Sequence, residues 1–389
     1  MARANRITKT ARRITVVTGT RADYGIFLPV IEAIDAHPRL QQQLLVTGMH
    51  LVRRFGRTVQ QIETDGWPIA ARVRLQGERD DPLAQARALG RAITKMSTEF
   101  ERLRSDIVLV LGDRLEMFAA AAAATAGQLV LAHIHGGDAA IGVQDDAYRH
   151  AISKLAHLHF AASAGARRRL KRLGEPSWRI YQTGSPALDN LSDLICHDCD
   201  ELSRWAGLDV TEDFVVVAQH PAGASAVQEG RYMSQTLQAC HSKGLKTLIL
   251  HPNSDPGFSG IVTAAQRFCR TCSGRLLTSA PRPIYLGLLE RSGILVGNSS
   301  SGIIEAGLLN VDVVNVGPRQ TGRDRGSNVR DVVYGRVPIV EALDAVLNRR
   351  RRVRRKCRIY GDGRSGIRIA SILARVKNDR RLRQKKIAY

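Results

Sequence analysis

Residues 14–25 read Ile14-Thr15-Val16-Val17-Thr18-Gly19-Thr20-Arg21-Ala22-Asp23-Tyr24-Gly25. A short β-branched run stops at a glycine-centred turn, and a helical pattern takes over, which is how a buried strand hands its carboxyl end to a loop and a helix. The grammar recurs. Runs at 44–47, 107–111, 129–134 and 158–161 behave alike, and 214–218, 247–251, 293–296 and 311–316 form a second series. Strands separated by helices predict βαβ units and parallel sheets. A polar crossing near 184–204 separates the two series. The expected architecture is two α/β domains facing each other across a cleft. Ligands bind at the carboxyl ends of such strands, and those ends carry Gly112-Asp113-Arg114, His133-Ile134-His135-Gly136, Gln219-His220-Pro221 and Gly297-Asn298-Ser299-Ser300.

The chain has 389 residues, 44% of them apolar, and a formal charge of +22. Such content supports buried cores and excludes global disorder. The charge is not spread evenly. Residues 1–13 carry +5 and residues 348–389 carry +15, which leaves +2 for the body between them. A nucleic-acid role would rest on the tail (Arg349–Arg352, Arg354, Arg355, Lys356) through phosphate contacts. Arginine supplies 48 of the 58 basic groups and no aromatics interleave with the run, which favours compositional bias. The stretch 117–134 is apolar, but Thr125, Gly127, Gln128 and His133 interrupt it, and it reads as a helix followed by a strand rather than a membrane span. No secretory signal begins the chain, so a cytoplasmic protein is expected.

The six cysteines include Cys196-x-x-Cys199 and Cys269-x-x-Cys272, about 70 residues apart against the 15–20 usual for a zinc ribbon; reduced, incidental thiols are expected. The segment Gly361-Asp362-Gly363-Arg364-Ser365-Gly366 fits GxGxxG, yet no βαβ unit can follow it, so it is not a dinucleotide site. His133 and His135 could form an HxH pair on one strand face, with His150, His157 or His159 completing a metal-dependent hydrolase. The glycines at 136–137 and the missing carboxylate-rich barrel pattern argue against that reading.

Taken jointly, TGTRADYG (18–25), TGMHL (47–51), GDRLE (112–116), HIHGG (133–137), DDAYRHAISKLAHLHF (145–160), HP (220–221), PNSDPG (252–257), GNSSSGIIE (297–305) and NVGPRQTGR (315–323) resemble the hydrolysing UDP-N-acetylglucosamine 2-epimerases. The resemblance is collinear from about 14 to 370. It implies a GT-B fold of two Rossmann-like domains with parallel sheets, a UDP-sugar substrate, no cofactor, no metal and a homodimer. It also implies an N-terminal domain at 14–188 for sugar chemistry, a UDP-binding domain at 189–360, a basic extension at 1–13 and a C-terminal helix with basic tail at 361–389. A GT-B glycosyltransferase or a non-hydrolysing 2-epimerase would share the fold and nucleotide, but the transferase needs an acceptor where the hydrolysing epimerase needs water.

The chemistry explains the residue types. The C2 proton of a UDP-2-acetamido sugar is not next to a carbonyl, so UDP must leave first, with oxocarbenium character at C1 as in glycoside cleavage. Loss of the C2 proton gives a glycal, and water adds to yield the free 2-epimer. The resemblance assigns the acid/base pair to Asp113 and Asp145, with Asp146 and His135 as further catalytic candidates. It places His220 at the leaving group, where a protonated imidazole would help. Arg21, Arg114, Ser299, Ser300, Glu305 and Arg319 would bind the nucleotide, the serines at a helix N-terminus and Glu305 on the ribose. Without the resemblance, Asp113 and the Asp145-Asp146 pair read as helix caps. His135 stands where some relatives carry Glu, and Asp138 and Asp146 stand where several do.

Overall fold

The computed structural model describes residues 11–52, 58–75, 82–139, 141, 144–253, 255–272, 274–349 and 357–386. The chain divides into two compact units, Met1–Asp138 with Gln144–Asp189 and Tyr360–Tyr389, and Ala139–Val143 with Asn190–Ile359.

The first unit holds a seven-stranded parallel sheet. Its strands are β1 (Arg12–Thr18), β2 (Leu40–Thr47), β3 (Ile69–Val73), β4 (Ile107–Leu111), β5 (Val130–Ile134), β6 (Leu158–Ala161) and β7 (Ile180–Gln182), in the order β3-β2-β1-β4-β5-β6-β7. Side chains alternate between faces along each strand. Ile14, Val16, Leu44, Val46, Ile107 and Leu109 meet the helices Arg21–Asp35 and Ser365–Arg375 on one face. Val17, Leu45, Val108, Val110 and Leu131 meet Pro82–Arg102 and Leu115–Ala126 on the other. With both faces covered, the central strands are apolar throughout.

Two expectations change here. The strand begins at Arg12, not after residue 13, and Arg13 pairs with Asp106 at 3.2 Å. Of the segment expected as a separate tail, the described part of 361–389 belongs to the first unit, because Ile369, Ala370, Leu373 and Ala374 form an apolar stripe that the sheet buries. The GxGxxG glycines serve that docking. A Cβ on Gly366 would lie 2.5 Å from the Pro29 carbonyl oxygen, and Gly361 adopts φ +123°. Asp189 secures the same junction by accepting from the Ser365 and Gly366 amides at 2.8 and 2.5 Å.

The second unit repeats the plan with β8 (Phe214–Ala218), β9 (Lys246–Leu250), β10 (Gly274–Leu277), β11 (Ile294–Gly297), β12 (Asp312–Val316) and β13 (Val329–Val332), in the order β10-β9-β8-β11-β12-β13, all parallel. Val215, Val217, Ile249, Val296 and Val314 pack against Ala226–His241, Phe258–Thr271 and Arg336–Arg349. The expected polar crossing contains two short helices, Leu191–Leu194 and Cys199–Ala206. No described helix is long and apolar enough to cross a membrane. All six cysteines are free thiols. Residues 350–356, most of the arginine run, lie outside the described residues.

Candidate active site

In the first unit the sequence candidates converge on a residue not singled out among them. Arg149 is buried on the helix Gln144–Leu155. Its Nη2 donates to Asp113 Oδ2, its Nη1 donates to the His135 carbonyl at 3.4 Å, and Asp138 Oδ2 lies 3.9 Å away. Burial opposes its charge, but Asp113, Asp138, Asp146 and Asp145 outweigh that and hold the guanidinium protonated. Asp113 therefore does not cap the next helix, whose N-cap is Arg114. Asp145 and Asp146 lie in the first turn of their helix rather than at its cap, and Asp146 faces His150 at 3.4 Å. Carboxylates in a first turn suit the helix dipole. The signal for Arg149 was its phase: it shares a stripe with Ile152, Ser153 and Ala156, all buried.

His135 falls one residue past β5 at φ +64°, a conformation that costs a non-glycine residue about 1–3 kcal/mol. Both ring nitrogens are engaged. Nδ1 meets Asp138 Oδ2 at 2.8 Å and Nε2 meets Ser185 Oγ at 2.9 Å, all three residues being buried. The HxH geometry accordingly fails, because His135 is not on the strand that carries His133. His133 Nε2 donates to the Gly112 carbonyl at 2.7 Å, and burial pushes its pKa down to about 3. Among the described residues no group of three or more His, Cys, Asp or Glu is arranged to hold a metal.

At the end of β1 the Thr20 cap and Asp23 form a capping box. Asp23 accepts from the Gly19 and Thr20 amides at 3.2 and 2.9 Å and from the Thr18 hydroxyl. Burial pushes its pKa up to about 6, against the lowering effect of the threonine hydroxyls. Glu116, the last residue of the GDRLE motif, is a second residue to which the sequence reading gave no role. It lies beneath this turn, where a Cβ on Gly48 would come within 2.5 Å of its Oε1, and Arg114 Nε lies 3.5 Å from its Oε2. Arg21 opens the helix after the turn.

The second unit builds its strand ends differently. Asn298 is buried, and its amide clamps the backbone of His220, accepting from its N–H at 2.7 Å and donating to its carbonyl at 2.9 Å. Its own carbonyl accepts from Gln320 Nε2 at 2.8 Å and Arg319 Nη1 at 3.3 Å. Glu229 shapes the loop after β8 by accepting from Ala222 and Ala224 at 2.7 and 3.1 Å. His220 Nδ1 accepts from the Asn253 amide at 3.0 Å, so a neutral ring carries its proton on Nε2. Burial, with Arg319 and His251, pushes its pKa down to about 3. The protonated imidazole expected at this position is thus replaced by a neutral one. Ser299 caps the five-residue helix Ser300–Ile304. Glu305 is buried and pairs with Arg282 at 2.5 Å, a partner absent from the motif reading.

The family model described as UDP-N-acetylglucosamine 2-epimerase matches residues 32–374. The chain is 34% identical over 378 residues, 97% of itself and all of its relative, to a protein of Legionella pneumophila named UDP-N,N'-diacetylbacillosamine 2-epimerase (hydrolyzing). The chain belongs to the hydrolysing UDP-N-acetylglucosamine 2-epimerase family. It is also 33% identical over 336 residues, covering 85% of itself and 86% of the relative, to a UDP-N-acetylglucosamine 2-epimerase of Neisseria meningitidis. The crystal structure of UDP-GlcNAc 2-epimerase from Neisseria meningitidis bound to UDP-GlcNAc superposes with a TM-score of 0.79 at 17% identity, over 93% of this chain and 99% of that one. That likeness establishes the fold class as GT-B, two Rossmann-like units in one chain.

Proposed function

We propose that this 2-epimerase takes a UDP-linked 2-acetamido sugar, either UDP-N-acetylglucosamine or a 2,4-diacetamido-trideoxy analogue, and releases the free 2-epimer and UDP. The observation that carries the reading is the gathering of Asp113, Asp138 and the His135 backbone around buried Arg149, on the helix that also bears Asp145 and Asp146.

In the first half-reaction the C1–O bond to UDP breaks, both electrons leave with the diphosphate, and a carboxylate removes the C2 proton to give the glycal. In the second half-reaction water adds across C1=C2, the hydroxyl going to C1 and a proton to C2 from the opposite face. Asp113 and Asp145 are the acid and base, with Asp146 beside them. His135, engaged at both nitrogens, acts through Arg149 as a positioning residue. Arg21, Arg114, Ser299, Ser300 and Arg319 hold the diphosphate and Glu305 the ribose. Neutral His220 offers its Nε2 proton to the departing oxygen. The fit of that donor is chemical: a neutral imidazole can donate without burying a net charge. A cytoplasmic homodimer completes the reading; it rests on the family resemblance, and light scattering checks the dimer.

Proton NMR in D2O with UDP-N-acetylglucosamine and no acceptor tests the assignment. Free N-acetylmannosamine carrying deuterium at C2, with released UDP, is the expected product. The UDP-linked 2-epimer would overturn the hydrolytic step. Turnover only of the UDP-diacetamido sugar would move the substrate to that analogue.

A further inference from the structure

The last described residues of the chain make unusual contacts with the back of the helix that carries Asp145, Asp146 and Arg149. That helix ends at Leu155, where its final carbonyls have no partner within the helix. Lys385 supplies one. Its Nζ donates to the carbonyls of Ser153, Lys154 and Ala156 at 3.2, 2.5 and 2.8 Å, across about 230 residues of sequence, and to Glu175 Oε2 at 2.9 Å. Glu175 is buried, and also holds Lys154 Nζ and His159 Nε2, each at 3.0 Å.

A second buried cation fixes the segment that delivers Lys385. Arg179 is only 1% exposed, and spends its guanidinium on backbone. Nη1 donates to the His157 and Leu382 carbonyls at 3.0 and 2.8 Å, and Nη2 donates to those of Arg381 and Gln384 at 2.9 and 3.2 Å. Arg179 and Arg381 stack on Trp178 at 4.3 and 4.7 Å from its ring centre. His157 donates from Nε2 to the Arg383 carbonyl at 3.3 Å, and Asp379 caps the short helix Arg380–Arg383. A mere solvated tail does not need a buried arginine to collect its carbonyls.

We propose that residues 379–386 are a latch that positions the catalytic helix, with Lys385 as its C-terminal cap and Arg179 as the anchor. A cation at a helix C-terminus is favourable both as a hydrogen-bond donor and against the dipole. Here the capped helix is the one whose other end presents Asp145 and Asp146, so the latch sets their height relative to Asp113. Lys385 touches no reacting atom and is a positioning residue. The proposal rests on the function proposed above only in naming that helix catalytic.

The test uses the full chain with Lys385→Met, Lys385→Gln and Lys385→Arg. Hydrogen exchange of the 144–155 amides reads the latch without reference to activity; faster exchange there in Lys385→Met, with 115–126 unchanged, is expected. In turnover, kcat falls about tenfold, the scale of a small misplacement of reacting groups, while KM stays within twofold, and Lys385→Arg recovers part of the loss. Unchanged exchange at 144–155 overturns the latch. Faster exchange with unchanged kcat overturns its positioning role. If Lys385→Met does not fold, Lys385→Gln, which keeps an amide donor, carries the same readings. A wild-type chain that turns over no UDP-sugar but loosens at 144–155 on substitution would sink the proposed function and leave the latch standing.

Discussion

The two units hold their strand ends by different means. In the first, charge holds charge: Arg149 gathers Asp113 and Asp138, and Glu175 gathers His159, Lys154 and Lys385. In the second, neutral amides clamp His220 itself, through Asn298 and the Asn253 backbone, with Gln320 and Arg319 behind Asn298 and Glu229 on the neighbouring loop. Ion networks preorganise groups that must exchange protons, because each carboxylate sits in a fixed field. Amide clamps fix backbone shape without adding charge, which under the proposed function suits a surface that receives an anionic diphosphate. Under the proposed function, the difference fits proton transfer in the first unit and most of the nucleotide holding in the second.

The largest effect expected lies on the charged side. Asp113→Asn keeps the shape and removes the proton-transfer function, so kcat falls about 10²–10⁴-fold with KM changed by no more than a few-fold. Steady-state kinetics with purified variant decides it, and a KM collapse with normal kcat would move Asp113 to the binding side. Stability then separates the units. Arg149→Met leaves Asp113 and Asp138 without their counter-charge, and breaking a buried pair in this way costs about 3–5 kcal/mol. Asn298→Ala strands the His220 N–H and carbonyl, and because His220 is only half-buried the two together cost about 1–3 kcal/mol, the scale of one fully buried unsatisfied group. Denaturant unfolding of both variants should rank them in that order. The reverse order would mean that the amide clamp, not the ion network, is the stiffer of the two.

How much of this was legible in the sequence follows the same physics. Every strand read from the sequence is central to its sheet, and the four missed, β3, β7, β10 and β13, are the four sheet edges. Central strands are buried on both faces and appear as continuous apolar runs. Edge strands are half-buried, and Arg72, Gln182, Arg275 and Arg330 break their pattern. The carboxylates were legible because glycine-flanked strand ends expose them as motifs. Their organisers were not. Arg149, Glu175 and Arg282 find their partners elsewhere in the chain and Glu116 lies under a turn supplied by other strands; of the four only Arg149, in phase with a buried stripe, carries a local signal. The tail failed for a related reason, since compositional arginine bias masks basic groups such as Arg179 and Lys385 that are committed to backbone carbonyls.

The smallest effects expected are titrations, and they separate the units by sign. Asp23 has its native pKa raised to about 6 by burial, above its unfolded value of 3.8. Its contribution to stability is complete below the unfolded pKa and is lost as pH rises through about 6. His220 has its native pKa lowered to about 3 by burial, below its unfolded value of 6.5. Its contribution is complete above 6.5 and is lost as pH falls, because the unfolded chain gains a proton that the native ring refuses. At 1.36 kcal/mol per pKa unit, acidification from pH 7 to pH 5 then strengthens the first unit through Asp23 by about 1 kcal/mol and weakens the second through His220 by about 2 kcal/mol. Unfolding free energies of wild type, Asp23→Asn and His220→Asn at both pH values isolate each contribution by difference. Asp23→Asn should lose the gain, and His220→Asn should lose the penalty. A penalty that survives in His220→Asn would place the acid sensitivity elsewhere in the second unit and would reopen the protonated form of His220 as the donor to the leaving diphosphate.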